Sequence, residues 1–260
     1  MDILRAEKLC ISFGGLAAVK NVSFRVPQHK IVSLIGPNGA GKTTVFNIIT
    51  GFYQADSGSV ELSGKIINHV SPEKRISLGM ARTFQNVRIF RQMTVLENVL
   101  IGHRRHIRYS VLSGLLHNRA WRTAEAQARE ECCGILEQIG LLEDRDTVCG
   151  NLAYGKQKKL EIARALASRP KLLLLDEPAA GLNPQETQEL SAFICTLPSD
   201  ELSVLLIEHD MSMVMNISDY IYVVNQGEQL AEGLPETVKR NQDVIDAYIG
   251  KGGVRRFAEG

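Results

Sequence analysis

Three short apolar runs stand out in the hydrophobic pattern of this chain. They are Ile31–Ile35 (IVSLI), Leu172–Leu175 (LLLL) and Val204–Ile207 (VLLI). Runs without polar alternation are typical of parallel strands that are covered on both faces. A helical pattern at Lys42–Thr50 follows the first run, and another at Gln185–Leu197 separates the second from the third. The pattern therefore predicts an α/β fold with a mainly parallel central sheet.

Shorter strand patterns lie toward both ends of the chain. Those near the N-terminus, which we predict to pair antiparallel, are Ile3–Leu4, Leu9–Phe13, Val22–Val26 and Val60–Leu62. Near the C-terminus, Gln226–Gly227 separates Tyr220–Val224 from Gln229–Ala231, and this arrangement predicts a hairpin. The last ten residues, KGGVRRFAEG, are predicted to be frayed.

The middle of the chain has a different pattern. Between about Val95 and Leu166 there is little strand signal, and Arg119–Ile139 is charged and rich in Ala and Glu, which predicts a long helix. We therefore predict an all-helical subdomain at residues 87–160. It is inserted into a core formed by residues 1–86 and 161–260, so that residues 1–260 make one composite domain.

Composition narrows the class of protein. The 260 residues are 44% hydrophobic and 23% charged, as in ordinary globular proteins, and the formal net charge of +1 gives no global attraction to nucleic acid. No apolar run is long enough to span a bilayer, and the N-terminus lacks a signal-peptide pattern. The five cysteines show no metal-site spacing, so we expect reduced thiols in a cytoplasmic protein.

The strongest chemical motif follows the first apolar run. GPNGAGKT at residues 36–43 matches G-x-x-x-x-G-K-[ST] between a predicted strand and a predicted helix, which is the context of a phosphate-binding P-loop. In such a loop, glycines let backbone N–H groups surround the β-phosphate of a nucleotide. Lys42 is expected to bind the β- and γ-phosphates, and the Thr43 hydroxyl is expected to bind Mg²⁺.

The second apolar run ends in two carboxylates, in the sequence KLLLLDEP. Asp176 and Glu177 follow a buried strand, and ligands of open parallel sheets bind at the carboxyl ends of their strands. We expect Asp176 to hold the Mg²⁺ shell. Glu177 is expected to polarise a water molecule toward the γ-phosphate, as a general base.

A second candidate anion site lies at residues 151–165, NLAYGKQKKLEIARA. The pattern predicts a turn containing Gly155, followed by a helix with Leu160, Ala163 and Leu166 on one face. The N-terminus of a helix favours anions through its free N–H groups and its dipole. The sequence therefore predicts two phosphate sites in one chain.

These motifs, in this order and spacing, resemble the nucleotide-binding subunits of ABC transporters over nearly the whole chain. In that resemblance, ARTFQN carries the Q-loop glutamine, Gln85, and LAYGKQ stands where the family has its LSGGQ signature. AGLN ends in Asn183 of the D-loop, and LLIEHD contains the switch histidine, His209. Phe13 matches the aromatic residue that stacks on adenine, although the sequence equally allows Phe13 to be a core residue of the first strand.

The resemblance implies a P-loop NTPase fold with a RecA-like core, an ATPase activity, and ATP and Mg²⁺ as cofactors. The expected catalytic residues are Glu177, His209, Lys42 and Gln85, and the expected metal ligands are Thr43, Gln85 and Asp176. The expected nucleotide contacts are Phe13, Gly36, Pro37, Asn38, Gly39, Ala40, Gly41, Lys42, Thr43, Thr44, Leu152, Ala153, Tyr154, Gly155, Lys156 and Asn183.

The resemblance also gives the second phosphate site a role. Two ABC subunits dock head to tail, and each ATP lies between one P-loop and the signature of the other subunit. This chain departs from the signature, since Ala153 replaces its serine, and Tyr154 and Lys156 replace its first glycine and its glutamine. We expect the ATP site that uses this signature to be the weaker one.

Several segments resemble a narrower group, the larger ATP-binding subunit of bacterial high-affinity branched-chain amino acid importers. They include FGGLAAV, GKTTVFNIITGFY, ARTFQNVRIF, EHDMSMVMNISD and DVIDAYIG. The resemblance implies a second, related but different, ATP-binding subunit, two membrane permease subunits and, indirectly, a periplasmic binding protein. It places the chain at the cytoplasmic face of the inner membrane. Four apolar residues of this region have two possible roles: they receive a permease helix beside the helical subdomain, or they belong to the core of that subdomain. They are Val87, Phe90, Met93 and Val95.

Three alternatives stay open at the level of sequence. The chain could be a soluble ABC ATPase of DNA repair or translation, with HRRHIR at residues 103–108 touching phosphate, although such a basic run is more often a solvated face. It could move another amino acid or small solute. It could also be a regulatory module with little hydrolysis, although Glu177 and His209 argue against that reading. We expect no nucleic-acid partner.

Overall fold

The computed structural model describes residues 1–85, 87–104, 119–199 and 201–249. Contacts divide the chain into two compact units, unit 1 (Met1–Arg82 with Lys171–Gly260) and unit 2 (Thr83–Pro170). The predicted frayed tail and residues 105–108 of the basic run lie outside the described residues. The helical subdomain predicted at 87–160 is shorter than unit 2. The predicted subdomain ends at residue 160, inside the continuous helix Tyr154–Leu166, whereas unit 2 contains this whole helix and extends to Pro170.

The strands belong to unit 1. In chain order they are β1 (Asp2–Phe13), β2 (Leu16–Pro27), β3 (Ile31–Ile35), β4 (Ser57–Leu62), β5 (Lys65–Ile66), β6 (Met80–Arg82), β7 (Leu172–Asp176), β8 (Ser203–Ile207), β9 (Tyr220–Asn225) and β10 (Glu228–Gly233). They form two sheets, in the orders β2-β1-β4-β5 and β10-β9-β3-β8-β7-β6. All neighbours in the larger sheet are parallel except the β9–β10 hairpin.

The predicted parallel strands are confirmed. Every residue of β3, β7 and β8 is buried, in agreement with their unbroken apolar runs. Because β3 lies between β8 and β9, and β7 lies next to β8, the carboxyl ends of β3, β7 and β8 are neighbours at one edge of the sheet. That edge receives the P-loop, Asp176 and His209.

The smaller sheet differs from the sequence prediction in one respect. Ile3–Leu4 and Leu9–Phe13 are parts of a single strand, β1, which pairs antiparallel with both β2 and β4. Lys8 has a φ of 49°, and the pairing register shifts between Ala6 and Leu9. This irregularity interrupts the alternation of buried and exposed side chains, so the sequence pattern reads as two short strands.

The helices, again in chain order, are α1 (Lys42–Thr50), α2 (Pro72–Ser77), α3 (Val95–His103), α4 (Arg119–Gln138), α5 (Tyr154–Leu166), α6 (Pro184–Cys195), α7 (Met211–Ile217), α8 (Pro235–Lys239) and α9 (Gln242–Ile249). The first of these has the predicted bounds. Within the described ranges, no helix combines the length and apolar character that crossing a bilayer requires.

The larger sheet is covered on both faces. One apolar cluster joins side chains of both sheets and α1, including Leu4, Leu34 and Phe46. A second cluster packs Ile35 and Val223 of the sheet against Val214 of α7 and Val244 of α9. Burial on both faces explains why the inner strands β3, β7 and β8 are mostly apolar.

A buried arginine holds the end of the P-loop helix. Arg75 is only 2% exposed, and its guanidinium donates hydrogen bonds to the carbonyls of Ile48, Ile49, Ile67 and Val70. A cation at a helix C-terminus satisfies carbonyls that have no partner within the helix and also complements the helix dipole. It therefore fixes α1 at the end opposite to its phosphate-binding end.

The regular secondary structure in the described part of unit 2 is helical, apart from an isolated antiparallel bridge between Thr94 and Val148. α3 begins with a capping box, in which Thr94 accepts from the Glu97 N–H and Glu97 accepts from the Thr94 N–H. Asn98 is fully buried and bonds to the Phe90 backbone and to Cys149 Sγ. These bonds fix the chain that enters α3 from the Q-loop region.

Candidate nucleotide site

The P-loop is shaped by glycines that no other residue could replace without strain. Gly36 has a φ of 156°, and a Cβ placed on it would lie 2.0 Å from the carbonyl oxygen of Val224. Gly41 is the N-cap of α1 with a φ of 101°, and a Cβ there would lie 2.7 Å from the Ala18 carbonyl oxygen. At these two glycines the loop therefore packs directly against neighbouring backbone. A glycine-rich loop of this kind can present its N–H groups to an anionic ligand.

The predicted loop residues differ in exposure. Gly36, Ala40 and Lys42 are buried, Pro37, Gly41 and Thr44 are half-buried, and Asn38, Gly39 and Thr43 are exposed. The Lys42 ammonium donates to the Gly36 carbonyl at 2.6 Å and to the Pro37 carbonyl at 3.0 Å. Burial lowers the pKa of Lys42, while the carboxylates of Glu177 and Asp176 raise it. Lys42 is thus held inside the loop, in the electrostatic reach of both acids.

Asp176, at the end of β7, forms a buried ion pair that sequence reasoning missed. Its Oδ2 lies 2.7 Å from Arg82 Nη2, and the two side chains are 6% and 9% exposed. Arg82 also donates to Asn47 Oδ1 at 2.8 Å and to Thr50 Oγ1 at 3.0 Å. One guanidinium therefore joins β6, β7 and the P-loop helix.

Glu177 has a strained backbone. Its φ of 47° lies in the left-handed region, which costs about 1–3 kcal/mol for a residue other than glycine. Its N–H donates to the Ile207 carbonyl at 2.9 Å. The half-exposed His209 has its Nδ1 3.9 Å from Glu177 Oε2. The two predicted catalytic side chains therefore face each other from the ends of β7 and β8.

Glu208 was also missed by the sequence prediction. It stands between β8 and His209 and is fully buried, with an exposed fraction of 0%. Burial raises the pKa of its carboxyl, and hydrogen bonds from the backbone of Ala179, His209 and Asp210 lower it. The motifs on which the site prediction was based assign no role to this carboxylate, although its residue directly precedes the predicted switch histidine, His209.

Phe13 and Asn183 complete the predicted residues of unit 1. Phe13 is 45% exposed, so it is not a core residue of β1, and its ring stands edge-on to Tyr53 with the ring centroids 5.2 Å apart. Asn183 is the N-cap of α6 and forms a capping box with Glu186. The Phe13 ring is open to solvent, as a stacking platform requires.

Gln85 lies in unit 2, where two side chains of α5 hold its segment. Lys158 Nζ donates to the Gln85 carbonyl at 2.9 Å, and Glu161 Oε1 accepts from the N–H groups of Phe84 and Arg88 at 3.3 and 3.4 Å. Lys158 and Glu161 are each 3% exposed. Burial raises the pKa of Glu161, and the two backbone hydrogen bonds lower it.

The signature segment opens α5. The helix begins at Tyr154 with Ala153 as its N-cap, so the prediction that Gly155 lies in a preceding turn was wrong: Gly155 is in the first helical turn, where its missing side chain suits a buried position. Leu152 is buried, whereas Ala153, Tyr154 and Lys156 are exposed. Lys156 Nζ lies 2.7 Å from Asp144 Oδ2. The Ala153 side chain has no oxygen to cap the helix.

Two family models match parts of this chain. A family model described as ABC transporter matches residues 19–180, more than half of the chain. The chain belongs to the ABC transporter family. A second family model, described as Branched-chain amino acid ATP-binding cassette transporter, matches residues 228–254. The predicted family and the prediction of ATP as cofactor are thereby confirmed.

Named relatives lie in a narrower group. The chain is 50% identical over 250 residues to the high-affinity branched-chain amino acid transport ATP-binding protein BraF of Pseudomonas aeruginosa, covering 96% of this chain and 98% of BraF. It is 49% identical, with the same coverage, to the protein LivG of Escherichia coli K12, which carries the same description. A probable LivG of Methanocaldococcus jannaschii is 36% identical over 255 residues.

Solved structures of ABC cassettes share the fold. The ADP conformation of an ATP-binding cassette of an ABC transporter superposes with a TM-score of 0.84 at 36% identity, covering 96% of this chain and 100% of that one. A nucleotide-free ABC cassette gives 0.82 at 36% identity, with the same coverage. The predicted P-loop NTPase fold, with a mainly parallel sheet and an antiparallel N-terminal sheet, is confirmed.

Proposed function

We propose that this ABC cassette is the ATP-hydrolysing motor subunit of an importer for branched-chain amino acids. The observation that carries the proposal is the arrangement of Lys42, Asp176, Glu177 and His209 at one edge of the parallel sheet, in a chain half identical to branched-chain amino acid transport ATP-binding proteins.

Phosphate binding falls to the P-loop and Lys42. Its ammonium bonds two loop carbonyls, at Gly36 and Pro37, so the side chain keeps the loop open and its charge in place before ATP arrives. On binding, the ammonium turns to the β- and γ-phosphates, while the backbone N–H groups at the start of α1 bind the β-phosphate. The preformed loop needs no folding on binding, which favours affinity.

The residues at this edge suit Mg²⁺. The exposed Thr43 hydroxyl and the Asp176 carboxylate are hard oxygen donors, the ligands that Mg²⁺ prefers. Among the described residues no cluster of three or more His, Cys, Asp or Glu side chains could hold a metal. Mg²⁺ sites of nucleotide-binding proteins commonly combine a few protein oxygens with phosphate oxygens and water. When bound, Mg²⁺ would neutralise developing charge on the phosphates. Gln85 is the third ligand that we propose.

Glu177 is proposed to take the proton of the attacking water, and His209 to hold the γ-phosphate. Glu177 Oε2 and His209 Nδ1 lie 3.9 Å apart, so both side chains can reach the same γ-phosphate region. A general base of this kind contributes about 10²–10⁴ to the rate. Removal of the γ-phosphate then removes the contact that holds a closed dimer together.

The signature is proposed to bind the nucleotide of a second cassette docked head to tail. The α5 N-terminus presents the N–H groups of its first turn, and Ala153, Tyr154 and Lys156 are exposed there. Phe13 would stack on adenine in the P-loop site, and Asn183 of the D-loop would face the partner. ATP that binds the closed pair better than the open pair shifts the equilibrium toward closure.

Replacing Ala153 by serine should tighten ATP binding at the signature site. A hydroxyl there would add one hydrogen bond to a charged phosphate, worth about 1.5–3 kcal/mol, or about 10- to 100-fold in affinity. Titration with ATP and measurement of turnover would test this. Ala153→Asp is the matched control, because aspartate also caps the helix but repels phosphate. If Ala153→Ser left affinity and turnover unchanged, the signature would not be limiting.

Replacing Phe90 by alanine should weaken assembly with the membrane partner while sparing the ATPase activity of the isolated chain. Of the four candidate interface residues, Val95 is fully buried and Val87 and Met93 are half-buried, whereas Phe90 is 49% exposed. Co-purification with permease subunits would test this. Ile66→Ala, at an exposed position of unit 1, should assemble normally. Normal assembly of the Phe90 variant would remove this residue from the proposed interface.

The proposed partners are a second, related ATP-binding subunit and two membrane permease subunits at the cytoplasmic face of the inner membrane. Purification of the tagged chain from solubilised membranes, followed by mass spectrometry and by uptake assays with leucine, isoleucine and valine, would test the function. Recovery of permeases and ATP-dependent uptake would support it. Recovery of ribosomal or DNA-bound proteins without a membrane protein would contradict it, and uptake of another solute would change its substrate.

A further inference from the structure

Glu208 is a buried acid to which the proposed hydrolysis assigns no step. It directly follows the last residue of β8, its side chain is inaccessible to solvent, and the next residue is the switch histidine. Burying a carboxylate is unfavourable unless hydrogen bonds compensate it. The fold therefore keeps this acid at a cost that an apolar residue of similar size would avoid.

Both oxygens of the Glu208 carboxylate accept backbone hydrogen bonds, and the donors lie in two segments, Ala179 in one and His209 and Asp210 in the other. Oε1 accepts from the Ala179 N–H at 2.8 Å, and Oε2 accepts from the His209 N–H at 3.0 Å. Ala179 lies in the turn between β7 and α6, which begins with Glu177 and ends with Asn183. One carboxylate thus joins the turn that carries the general base to the segment that carries the histidine.

A second bond between these segments runs from the Glu177 N–H to the Ile207 carbonyl at 2.9 Å, at the end of the paired strands β7 and β8. The hydrogen bonds of the Glu208 carboxylate connect the same two segments beyond the last residues of β7 and β8. His209 Nδ1 lies 3.7 Å from Glu208 Oε2 and 3.9 Å from Glu177 Oε2. The imidazole is half exposed, so its position depends on the backbone that bears it.

We infer that Glu208 is a positioning residue for ATP hydrolysis, which fixes the backbone of His209 relative to the turn that carries Glu177 and Asn183. The inference rests on the proposed function. Its specific content is that Glu208 acts through His209, and not by binding nucleotide. Removal of the Glu208 carboxylate should therefore lower kcat for ATP hydrolysis and leave the apparent affinity for ATP nearly unchanged.

Glu208→Gln tests this with little change in volume. The amide oxygen can still accept from the Ala179 N–H, but the NH₂ group cannot accept from the His209 N–H, so that hydrogen bond is lost. We expect kcat of the full-length chain to fall about tenfold or more, with KM for ATP within about twofold, as for one lost bond to a charged group. Asp219→Asn is the matched control, because Asp219 accepts from the Ile31 N–H at 2.8 Å at the opposite edge of the same sheet. It should retain kcat.

A double-mutant cycle distinguishes positioning from general stability. In a His209→Ala background, Glu208→Gln should have almost no further effect on single-turnover hydrolysis, because coupled residues are not additive. If the two losses multiply, or if kcat of the single Glu208 variant is unchanged, the inference is overturned. A fall in kcat that is matched by a lower melting temperature and weaker ATP binding would likewise overturn it.

Hydrogen exchange on the unsubstituted chain provides a second measurement should Glu208→Gln fail to fold. The Ala179 and His209 amides should exchange slowly, as expected for bonded N–H groups beside a buried acceptor, and rapid exchange of both would contradict the inference. The inference and the proposed function can fail separately. An unsubstituted chain without ATPase activity would contradict the function, whereas an active chain that is indifferent to Glu208→Gln would contradict only the positioning role.

Discussion

Replacing Glu177 by glutamine should lower ATP turnover by about 10²–10⁴, the usual contribution of a general base. Glutamine has nearly the same shape, and its left-handed backbone would be equally strained, so the site should keep its geometry. The amide, however, cannot take a proton from water. Steady-state phosphate release, together with ATP titration, would measure the effect, and ATP affinity should be retained.

The outcome separates a motor from a passive nucleotide-binding module. Glu137→Gln on the exposed face of α4 is a suitable control, because it makes the same chemical change in unit 2 without touching the P-loop or the acids of β7. Turnover of the Glu177 variant within about threefold of the unsubstituted chain would show that another group takes the proton, since a general base contributes far more. The proposed mechanism would then have to be abandoned.

Replacing Arg82 by methionine should lower the free energy of unfolding by about 3–5 kcal/mol, because removal of one partner leaves a buried charge uncompensated. Asp176 would remain buried, 6% exposed, without its cation. Asn47 and Thr50 of α1 would lose the same donor. Urea unfolding followed by circular dichroism would measure the change, and addition of Mg²⁺ and ATP should recover part of the lost stability.

An exposed pair provides the comparison for Arg82. Arg5 Nε lies 3.4 Å from Glu7 Oε1, and the two side chains are 51% and 55% exposed. Such pairs contribute about 0–1 kcal/mol, so Arg5→Met should change stability little. Equal losses in the two variants would show that the Arg82 ion pair carries no special energy in this fold.

The sequence was most informative where local chemistry decides the structure. The P-loop, α1 and the buried strands were predicted at or within a residue of their bounds, because glycines and uninterrupted apolar runs act over a few neighbouring residues. The β9–β10 hairpin was also predicted, although β10 continues two residues beyond its predicted end, to Gly233. Its turn at Gln226–Gly227 has positive φ values of 50° and 80°. The candidate catalytic residues could be named because their motifs are local as well, and their roles stay predictions.

Sequence reasoning failed where partners lie far apart in the chain. Arg82 pairs with Asp176 across 94 residues, and Lys158 bonds the Gln85 carbonyl across 73. Such partners have no common pattern, and a charged residue beside an apolar run reads as solvent-exposed. Glu208 escaped notice for the same reason, since its acceptor role depends on the Ala179 N–H, 29 residues away. Only folding brings these groups together.

The bonds that tie the Q-loop segment to α5 have a mechanical consequence. Since Lys158 and Glu161 fasten the backbone on both sides of Gln85, the glutamine and the signature at the start of α5 share one stiff support. A displacement of the Gln85 backbone would therefore also displace the start of α5, because buried hydrogen bonds join the two. In the proposed head-to-tail dimer, any movement of Gln85 would thus be a movement of the signature as well.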